Sequence, residues 1–390
     1  MFKNTQFREL MKGLPRKAFS QFVNDLKADK YSKGFSSYDH LVAMVFAQIS
    51  GHQSLRELEA AFNSQSAHHY HLGTKEIKRS TLSDANTNRN SKVFESVCQH
   101  LMQGVHRSIR NEIQDLLYLM DASGIRLSGK GFDDWTDTTK RHRIHGLKMH
   151  VVYACQKQVP IQVELTGGGT QDVEKRHMIR PEPGATYAFD KGYYDYNWWY
   201  ELHQSGAYFV TRFKKNASMT TLESKEIPEE LKNIVLEDSK VQLKKVSDKR
   251  RRNDYAGTPL RKIVIERPDK GSSLVLATND FERSAEEIAE IYKKRWAIEL
   301  FFKWIKQNLK IKKYLGRSKN AVEIQIFTAI ISYLLTHLMH KNQGGQTSLK
   351  LFLIELRSTL FSRLEIDRRY ERKRRKIKQE FDARQYSLAL

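Results

Sequence analysis

The spacing of apolar residues changes near Leu116, and this change constrains the fold more than any other feature of the chain. Residues 1–112 show the spacing of helices, most clearly over residues 38–50 and 54–61. After Leu116, short apolar runs separated by turn residues are typical of strands. The pattern therefore predicts an all-helical N-terminal domain followed by a domain built on a sheet.

Two of the predicted strands end on an acidic residue. LLYLMDASG predicts a strand that closes on Asp121, and ATYAFD predicts a short strand that closes on Asp190. Two strands joined by a turn are predicted over residues 146–165, and a helix and another strand follow Asp190. This order indicates an α/β layer with both aspartates at strand ends. The alternative is that each aspartate caps a turn, before Gly124 and before Gly192.

Residues 284–309 are predicted to form one long helix with two adjacent stripes of side chains. Ser284 and Glu287 match a capping box, and no Gly or Pro interrupts the pattern. One stripe is apolar and faces the core. The stripe beside it is polar and consists of Tyr292, Arg295, Glu299 and Lys306. It indicates a polar site set against the core; the alternative is an amphipathic helix on which Arg295 and Glu299 form a surface ion pair.

The chain carries a large excess of positive charge. Its 67 Lys and Arg residues against 45 Asp and Glu residues give a formal net charge of +22 and a pI near 9.7. This excess makes a polyanion the expected partner, and its spread through folded-looking sequence favours nucleic acid. Binding to an anionic membrane would need a basic amphipathic helix with a free apolar face, and no such helix is evident in the sequence.

The sequence favours a reducing compartment and no membrane span. Cys98 and Cys155 have no paired spacing, so neither a disulfide framework nor a zinc site is predicted. The most apolar run, residues 321–339, includes Glu323 and Gln325 and is expected to be a buried helix. We therefore expect a cytoplasmic protein.

The predicted acids are suited to act together on a phosphodiester. Asp121 and Asp190 at strand ends, with Glu299 on a helix, form the kind of carboxylate set that holds two divalent cations. Mg²⁺ is the expected ion, with Mn²⁺ as a substitute, because it prefers oxygen ligands and leaves positions open for water and phosphate oxygens. Such a two-ion site suits in-line phosphoryl transfer, and basic neighbours would hold the phosphate backbone.

The spacing of the polar stripe resembles a family signature. Tyr292, two residues, Arg295, three residues, Glu299, six residues and Lys306 match the Y-R-E-K pattern of bacterial insertion-sequence transposases of the IS-four type. LMDASGIRL and AFDKGYYDY resemble the first and second aspartate motifs of that family. HGLKMHVVYA and YFVTRFKKN are similar to the strands that follow those motifs.

The resemblance covers most of the chain, roughly residues 15–340, and its motifs occur in the order of the family. Residues 36–62 and 79–89 resemble the helical domain that precedes the core in one branch of the family. The resemblance implies an α/β fold with an RNase H-like catalytic core, interrupted by a β-rich insertion and preceded by an all-helical N-terminal domain.

The resemblance and the changes in sequence pattern together divide the chain into five parts. These are a helical N-terminal DNA-binding domain (1–112), the first part of the catalytic core (113–212), the β-rich insertion (213–278), the second part of the core (279–342) and a basic helical C-terminal region (343–390).

The resemblance also implies a role for each residue that matches a family motif. Asp121, Asp190 and Glu299 match the catalytic DDE triad that binds the divalent ions. Tyr292, Arg295 and Lys306 match residues that contact transposon-end DNA near the cleavage site. Arg212, in the segment YFVTR, is expected to face DNA as well.

The function implied is that of a nucleoid-associated DNA transposase. It would bind the terminal inverted repeats of its insertion sequence, cleave the strands with metal ions and transfer them to target DNA, as a dimer in the synaptic complex and without a membrane. Two alternatives remain: a non-catalytic DNA-binding protein derived from a transposase, and a nuclease on the same fold. Inverted repeats beside the gene would favour the transposase.

The insertion departs from the family in one respect. The resemblance implies cleavage through a hairpin intermediate, helped by an aromatic residue of the insertion that traps a flipped base. The insertion of this chain contains no tryptophan, and Phe213 and Tyr255 are its only aromatic residues.

Overall fold

The computed structural model describes residues 4–136, 145–244, 253–267, 271–309 and 313–362. The chain forms two compact units. The helical unit consists of Met1–Leu101 and Ile305–Leu390, and the sheet unit consists of Met102–Trp304. Residues 363–390, most of the predicted basic C-terminal region, lie outside the described residues.

The helices and strands follow the order that the sequence predicts. The helices are α1 (Gln6–Met11), α2 (Arg16–Asp25), α3 (Ser37–Ser50), α4 (Leu55–Asn63), α5 (Ser66–Leu72), α6 (Arg79–Asn88), α7 (Lys92–Glu112), α8 (Tyr196–Gln204), α9 (Ala285–Lys294), α10 (Trp296–Asn308), α11 (Lys319–Asn342) and α12 (Leu349–Thr359). The strands are β1 (Leu117–Arg126), β2 (Gly146–Ala154), β3 (Val159–Gly167), β4 (Thr186–Phe189), β5 (Tyr208–Arg212), β6 (Met219–Ser224), β7 (Val235–Leu243), β8 (Pro259–Ile265) and β9 (Leu274–Thr278). Helices α1 to α7 precede the first strand, as predicted.

Helix α11 forms much of the core of the helical unit, where it packs against α1, α3, α6 and α12. Within the described ranges it is the one helix long and apolar enough to cross a membrane, and 83% of its most apolar stretch is buried. The hydroxyls of Thr328 and Thr336 donate to the carbonyls of Ile324 and Ser332, each at 2.7 Å, and so need no partner outside the helix. The predicted buried helix over this run is confirmed.

A buried polar contact joins α3 to α6. His40 on α3 is fully buried, and its Nε2 lies 2.8 Å from Oδ1 of Asn86 on α6. Burial, followed by the charge of Arg89, lowers the pKa of His40 to about 3. The ring is therefore neutral at pH 7, and Nε2 is assigned as the protonated nitrogen because the Asn86 oxygen can only accept.

The sheet unit contains one nine-stranded sheet in the order β3-β2-β1-β4-β5-β9-β8-β7-β6. Strands β1, β2 and β3 are antiparallel neighbours, and β4 and β5 are parallel to β1. The order 3-2-1-4-5 with this strand direction is that of an RNase H-like core. The predicted fold class is confirmed.

The predicted insertion continues the sheet of the core. Strands β6, β7 and β8 pair in antiparallel fashion, and β9 pairs with β8 on one side and with β5 on the other. Arg261 on β8 and Asp238 on β7 form a buried ion pair through two hydrogen bonds, of 2.8 and 2.6 Å. The remaining guanidinium nitrogen donates to the carbonyls of Asp280 and Arg283, so this pair also anchors the segment that leads into α9.

The prediction of one long helix over residues 284–309 is wrong at its centre. The capping box of Ser284 and Glu287 is present, but α9 ends at Lys294 and α10 begins at Trp296. Arg295 between them donates its N–H to the carbonyl three residues earlier, at 3.2 Å. Bonds between residues three apart tighten a turn relative to an α-helix, and no Gly or Pro signals this break.

Candidate active site

The parallel register of β1 and β4 brings Asp121 and Asp190 together. The pairing aligns Met120 with Phe189 and ends there. Asp121, on β1, and Asp190, directly after β4, are the next residues along the two segments, so they lie side by side where the pairing ends. The predicted position of Asp190 directly after its strand is confirmed.

The prediction that Asp121 closes its strand is wrong. Strand β1 continues to Arg126 because β2 pairs with it along its whole remaining length. Gly124 lies within this ladder opposite Lys148, which excludes a turn that Asp121 would cap. Oδ1 of Asp121 instead accepts the N–H of Ala122 at 2.8 Å.

The turn after β4 fixes the carboxylate of Asp190. Oδ1 of Asp190 accepts the N–H of Gly192 at 2.7 Å and caps the 3-10 helix Lys191–Tyr193. A Cβ atom added to Gly192 would lie 2.8 Å from the same oxygen. The alternative that Asp190 caps a turn is therefore confirmed, and the same turn orients the carboxylate beside Asp121.

Arg295 connects Asp121 to Glu299. One guanidinium nitrogen lies 3.3 Å from Oδ2 of Asp121, and another lies 2.7 Å from Oε1 of Glu299. The pair of Arg295 and Glu299 is thus present, but it is not the surface pair of the alternative interpretation, because only 14% of the Arg295 side chain is exposed and it also reaches β1. Phe301 packs on Tyr153 of β2, with ring centroids 5.2 Å apart, and holds α10 against the sheet.

The surroundings of Asp121 do not fully compensate the negative charge of its carboxylate. Burial, followed by the charge of Asp190, raises the pKa of Asp121 to about 7. The Ala122 N–H and Arg295 lower this pKa but do not offset the two larger effects. A cation beside Asp121 and Asp190 would stabilise both ionised carboxylates.

Tyr292 and Arg212 lie next to this group of charges. Tyr292 is 9% exposed and belongs to an apolar cluster with Val210 and Ile288. The Arg295 guanidinium lies 5.6 Å from the centroid of the Tyr292 ring. Burial raises the pKa of Tyr292, while the charges of Arg295 and Arg212 lower it. Tyr292 is therefore largely buried, Arg212 at the end of β5 is its neighbour, and the contacts of both residues with DNA stay predictions.

The outer face of α10 holds side chains that the sequence patterns did not single out. Trp296 is 57% exposed and Leu300 is 52% exposed, one helical turn apart and next to Arg295 and Glu299 in the chain. Spacing alone gives no signal for them, because an apolar residue on an amphipathic helix is expected to be buried. Lys306 lies in the last turn of α10, within the helical unit, and its contact with DNA stays a prediction.

The donor atoms fit a hard divalent cation in their chemistry. Asp121 and Asp190 offer carboxylate oxygens close together, and their like charges repel each other. In the part of the chain that the structure describes, no three acidic, His or Cys side chains are already grouped as metal ligands. The carboxylate of Glu299 is bound by Arg295.

An RNase H-like sheet with two adjoining aspartates and a glutamate on a later helix defines a class of domain that acts on nucleic acid. The family model described as "Transposase DDE domain" matches residues 113–335, more than half of the chain. A second model, described as a domain of unknown function, matches residues 2–75. The chain belongs to the DDE transposase family.

Curated relatives agree with this assignment. A putative transposase of Sinorhizobium fredii is 39% identical over 256 residues, which cover 65% of this chain and 69% of the relative. A probable insertion-sequence transposase of Geobacillus stearothermophilus is 30% identical over 223 residues, which cover 56% of this chain and 55% of the relative. The predicted resemblance to bacterial insertion-sequence transposases is confirmed.

Among solved structures, the chain is similar to a piggyBac transposase synaptic complex with hairpin DNA. The TM-score is 0.49 at 13% sequence identity, and the match covers 92% of this chain and 80% of the other.

Proposed function

We propose that this transposase binds the inverted repeats of an insertion sequence, cleaves the DNA strands at its ends and transfers them to target DNA. Asp121, Asp190 and Glu299 are the proposed catalytic residues and the ligands of divalent ions. The observation that carries the proposal is the register of β1 and β4, which sets Asp121 beside Asp190, together with the reach of Arg295 from Glu299 to Asp121.

The metal part of the proposal follows from the donor atoms. Members of the DDE family generally use divalent metal ions. Asp121 and Asp190 would hold a Mg²⁺ ion, and Glu299 would complete the set for a second. Ions bound there supply activation of the attacking hydroxyl and stabilisation of the leaving oxygen.

The protein groups around the acids orient the DNA. Arg295 is a planar donor suited to bidentate contact with phosphate, and it already bridges two carboxylates. A phosphate that takes over one arm of the guanidinium would free a carboxylate for an ion. Arg212 and Lys306 add positive charge for the backbone of the end DNA, and Tyr292 supports Arg295 from the core side.

The helical unit is the proposed site of end recognition. Helix α6 buries Leu82, Ala85 and Asn86 and leaves its other side to solvent. The exposed side holds polar side chains that can donate to bases or phosphates: Arg79, Ser80, Ser83 and Asn88. Helix α6 follows the short helices α4 and α5, and a helix with an exposed polar side is suited to groove binding.

The exposure of the aromatic side chains indicates which of them could stack on a flipped base. Phe213 is 7% exposed and Tyr255 is fully buried, where its hydroxyl bonds to Nδ1 of His203 at 2.8 Å. Neither aromatic residue of the predicted insertion is therefore placed to stack on DNA. Trp296 on α10 offers an exposed ring, and stacking of a base on an aromatic ring contributes about 1–3 kcal/mol.

The catalytic assignment is tested with the full chain and duplexes that carry the ends of its element. We expect Asp121→Asn, Asp190→Asn and Glu299→Gln each to reduce Mg²⁺-dependent strand cleavage by at least about a thousandfold, because each removes a charge from the proposed ion site. Cleavage is measured on a denaturing gel, and end binding by fluorescence anisotropy. End binding should persist in all three variants.

Glu323→Gln is a suitable control, because Glu323 is a carboxylate on α11 in the helical unit that bonds to Ser91. Cleavage that survives all three triad changes would refute the assignment. Binding without cleavage in the unchanged chain would favour the non-catalytic DNA-binding alternative. Cleavage without joining to target DNA would favour a nuclease.

A further inference from the structure

A fourth acidic residue, which the proposed function does not use, lies against the turn that carries Asp190. Asp172 opens the 3-10 helix Asp172–Met178, which packs against the 3-10 helix Lys191–Tyr193 and against β2. A Cβ atom built on Gly192 would meet Oδ1 of Asp190 at 2.8 Å and Oδ2 of Asp172 at 3.1 Å. The two carboxylates therefore converge on the same glycine from different segments of the chain.

Lys148 fixes Asp172 in this place. The Lys148 ammonium lies on β2 opposite Gly124 of β1 and donates to Oδ1 of Asp172 at 2.9 Å. It also donates to the carbonyl of Thr170 at 2.6 Å. Both side chains are largely buried, with exposures of 15% for Lys148 and 28% for Asp172. Lys148 thus binds one carboxylate oxygen of Asp172, and the other oxygen faces Gly192.

Tyr193, which ends the 3-10 helix Lys191–Tyr193, lies close to the same acids. Tyr193 is fully buried, and its hydroxyl has no hydrogen-bond partner among the described residues. Burial raises its pKa, and the charges of Asp172, Asp121 and Asp190 raise it further, in that order. The protonated hydroxyl therefore adds no negative charge beside these three carboxylates.

A second carboxylate beside Asp190 lowers the stability of the fold, so its presence suggests a functional role. Two like charges close together in a partly buried place repel each other, and a buried ion pair is often no more stable than apolar side chains of the same size. A nearby negative charge does strengthen the binding of a cation, and residues that orient metal ligands change metal affinity by about 10- to 100-fold.

We propose that Asp172, held by Lys148, is a positioning residue of the catalytic site. It packs against Gly192, keeps the turn of Asp190 in the conformation that presents its carboxylate to the divalent ion, and offsets the positive charge of Lys148, which would otherwise repel that ion. This inference rests on the proposed function, because it takes Asp190 as an ion ligand.

The chain offers a matched control for a role that is only structural. Glu164 on β3 forms an ion pair with Lys175 of the same 3-10 helix that Asp172 opens. The exposures of this pair, 31% and 18%, are close to those of Asp172 and Lys148. Both pairs tie the 3-10 helix to the sheet, but Glu164 is not among the closest atoms around Gly192.

The test is isothermal titration calorimetry of Mg²⁺, and separately Mn²⁺, into the full chain. It compares the unchanged chain with Asp172→Asn, Glu164→Gln and Asp121→Asn. Asparagine keeps the volume of Asp172 and can still accept from Lys148, so the fold is expected to persist, and circular dichroism checks this. We expect Asp172→Asn to weaken ion binding about tenfold and Glu164→Gln less than about twofold.

A cleavage assay over a range of Mg²⁺ concentrations gives a second measurement. In Asp172→Asn the Mg²⁺ concentration for half-maximal cleavage should rise about tenfold, whereas loss of folded protein would lower the maximal rate without moving that concentration. Equal ion affinities for Asp172→Asn and Glu164→Gln would overturn the inference while leaving the proposed function intact. Unchanged ion binding in Asp121→Asn would overturn the ion site itself, and the inference with it.

Discussion

At the scale of single residues, the site depends on close approach as much as on charge. The carboxylate of Asp190 is oriented by an N–H that can come near only because residue 192 has no side chain. Arg295 also depends on close approach, because its one guanidinium group contacts both Asp121 and Glu299, which lie 178 residues apart in the chain. Small changes at these positions should therefore affect activity far more than stability.

Gly192→Ala tests this at the Asp190 turn. The added methyl group would lie 2.8 Å from Oδ1 of Asp190, so either the turn or the carboxylate must move. We expect cleavage to fall by about a hundredfold, the effect of misplacing a catalytic group by about 1 Å. Thermal unfolding should change by only a few degrees, because residue 192 is exposed. Gly167→Ala is the control, since nothing lies within 4 Å of its added Cβ, and an equal loss there would contradict the argument.

At the scale of elements, buried polar contacts tie neighbouring strands and neighbouring helices together. The pair of Arg261 and Asp238 ties β8 to β7 and also binds the backbone that leads into α9. In the helical unit, His40 and Asn86 tie α3 to α6 in the same way. Because both contacts are buried, the loss of one partner leaves the other polar group without a hydrogen bond from protein or water.

Arg261→Met should lower the free energy of unfolding by about 3–5 kcal/mol, because it leaves Asp238 charged and 8% exposed without its partner. The measurement is urea unfolding of the full chain followed by tryptophan fluorescence. Lys262→Met removes the neighbouring pair with Glu237 on the same two strands. These two side chains are 23% and 34% exposed, so the change should cost less than about 1 kcal/mol. Similar losses of unfolding free energy in the two variants would show that the buried pair stabilises the fold no more than the more exposed one.

The stability of the helical unit should fall in acid because of His40. Its pKa is about 3 in the folded chain and near 6.5 when unfolded, so the unfolded chain binds the extra proton between these values. The stabilisation is therefore complete above pH 6.5 and is lost as the pH falls. Between pH 7 and pH 5 the free energy of unfolding should drop by about 2 kcal/mol from this residue.

His40→Gln checks that assignment, since glutamine has no proton to take up in this range. Urea unfolding of both chains at pH 7 and pH 5 should show a smaller drop for the variant. Other buried histidines with lowered pKa values, such as His150, stay in both chains and cancel in the comparison. An equal drop would mean that His40 does not set the acid sensitivity.

At the scale of the whole molecule, the excess of positive charge is the property that bears most on the kind of partner. The net charge of +22 is large enough to favour binding to DNA whatever its base sequence. Charge gives affinity, and base contacts must give specificity.

Binding to a random duplex should therefore depend steeply on salt. We expect the affinity of the full chain to fall by about a thousandfold or more between 50 and 200 mM salt, because six or more phosphate contacts each release counterions. Fluorescence anisotropy measures this slope. Arg295→Ala should reduce the slope by about one on a log–log plot if Arg295 contacts a phosphate. A slope near zero would exclude a phosphate-based mode of binding.

Much of the fold was accessible from local patterns. The helical N-terminal region, the buried helix over residues 321–339 and the strand before Asp190 were predicted correctly, because periodicity reports which side of a local element is buried. The break at Arg295 and the continuation of β1 beyond Asp121 were missed. A tightened turn needs no special residue, and a strand continues wherever a partner strand supplies its hydrogen bonds.

The sequence by itself determined the residue types of this transposase: three acids in order, and a helix that carries Glu299 with Arg295 one turn before it. Only the tertiary structure decided that the register of β1 and β4 sets Asp121 beside Asp190, that Arg295 reaches both chain segments and that Asp172 lies against Gly192. Strand partners and register depend on contacts between residues far apart in the chain, and a local pattern carries no record of them.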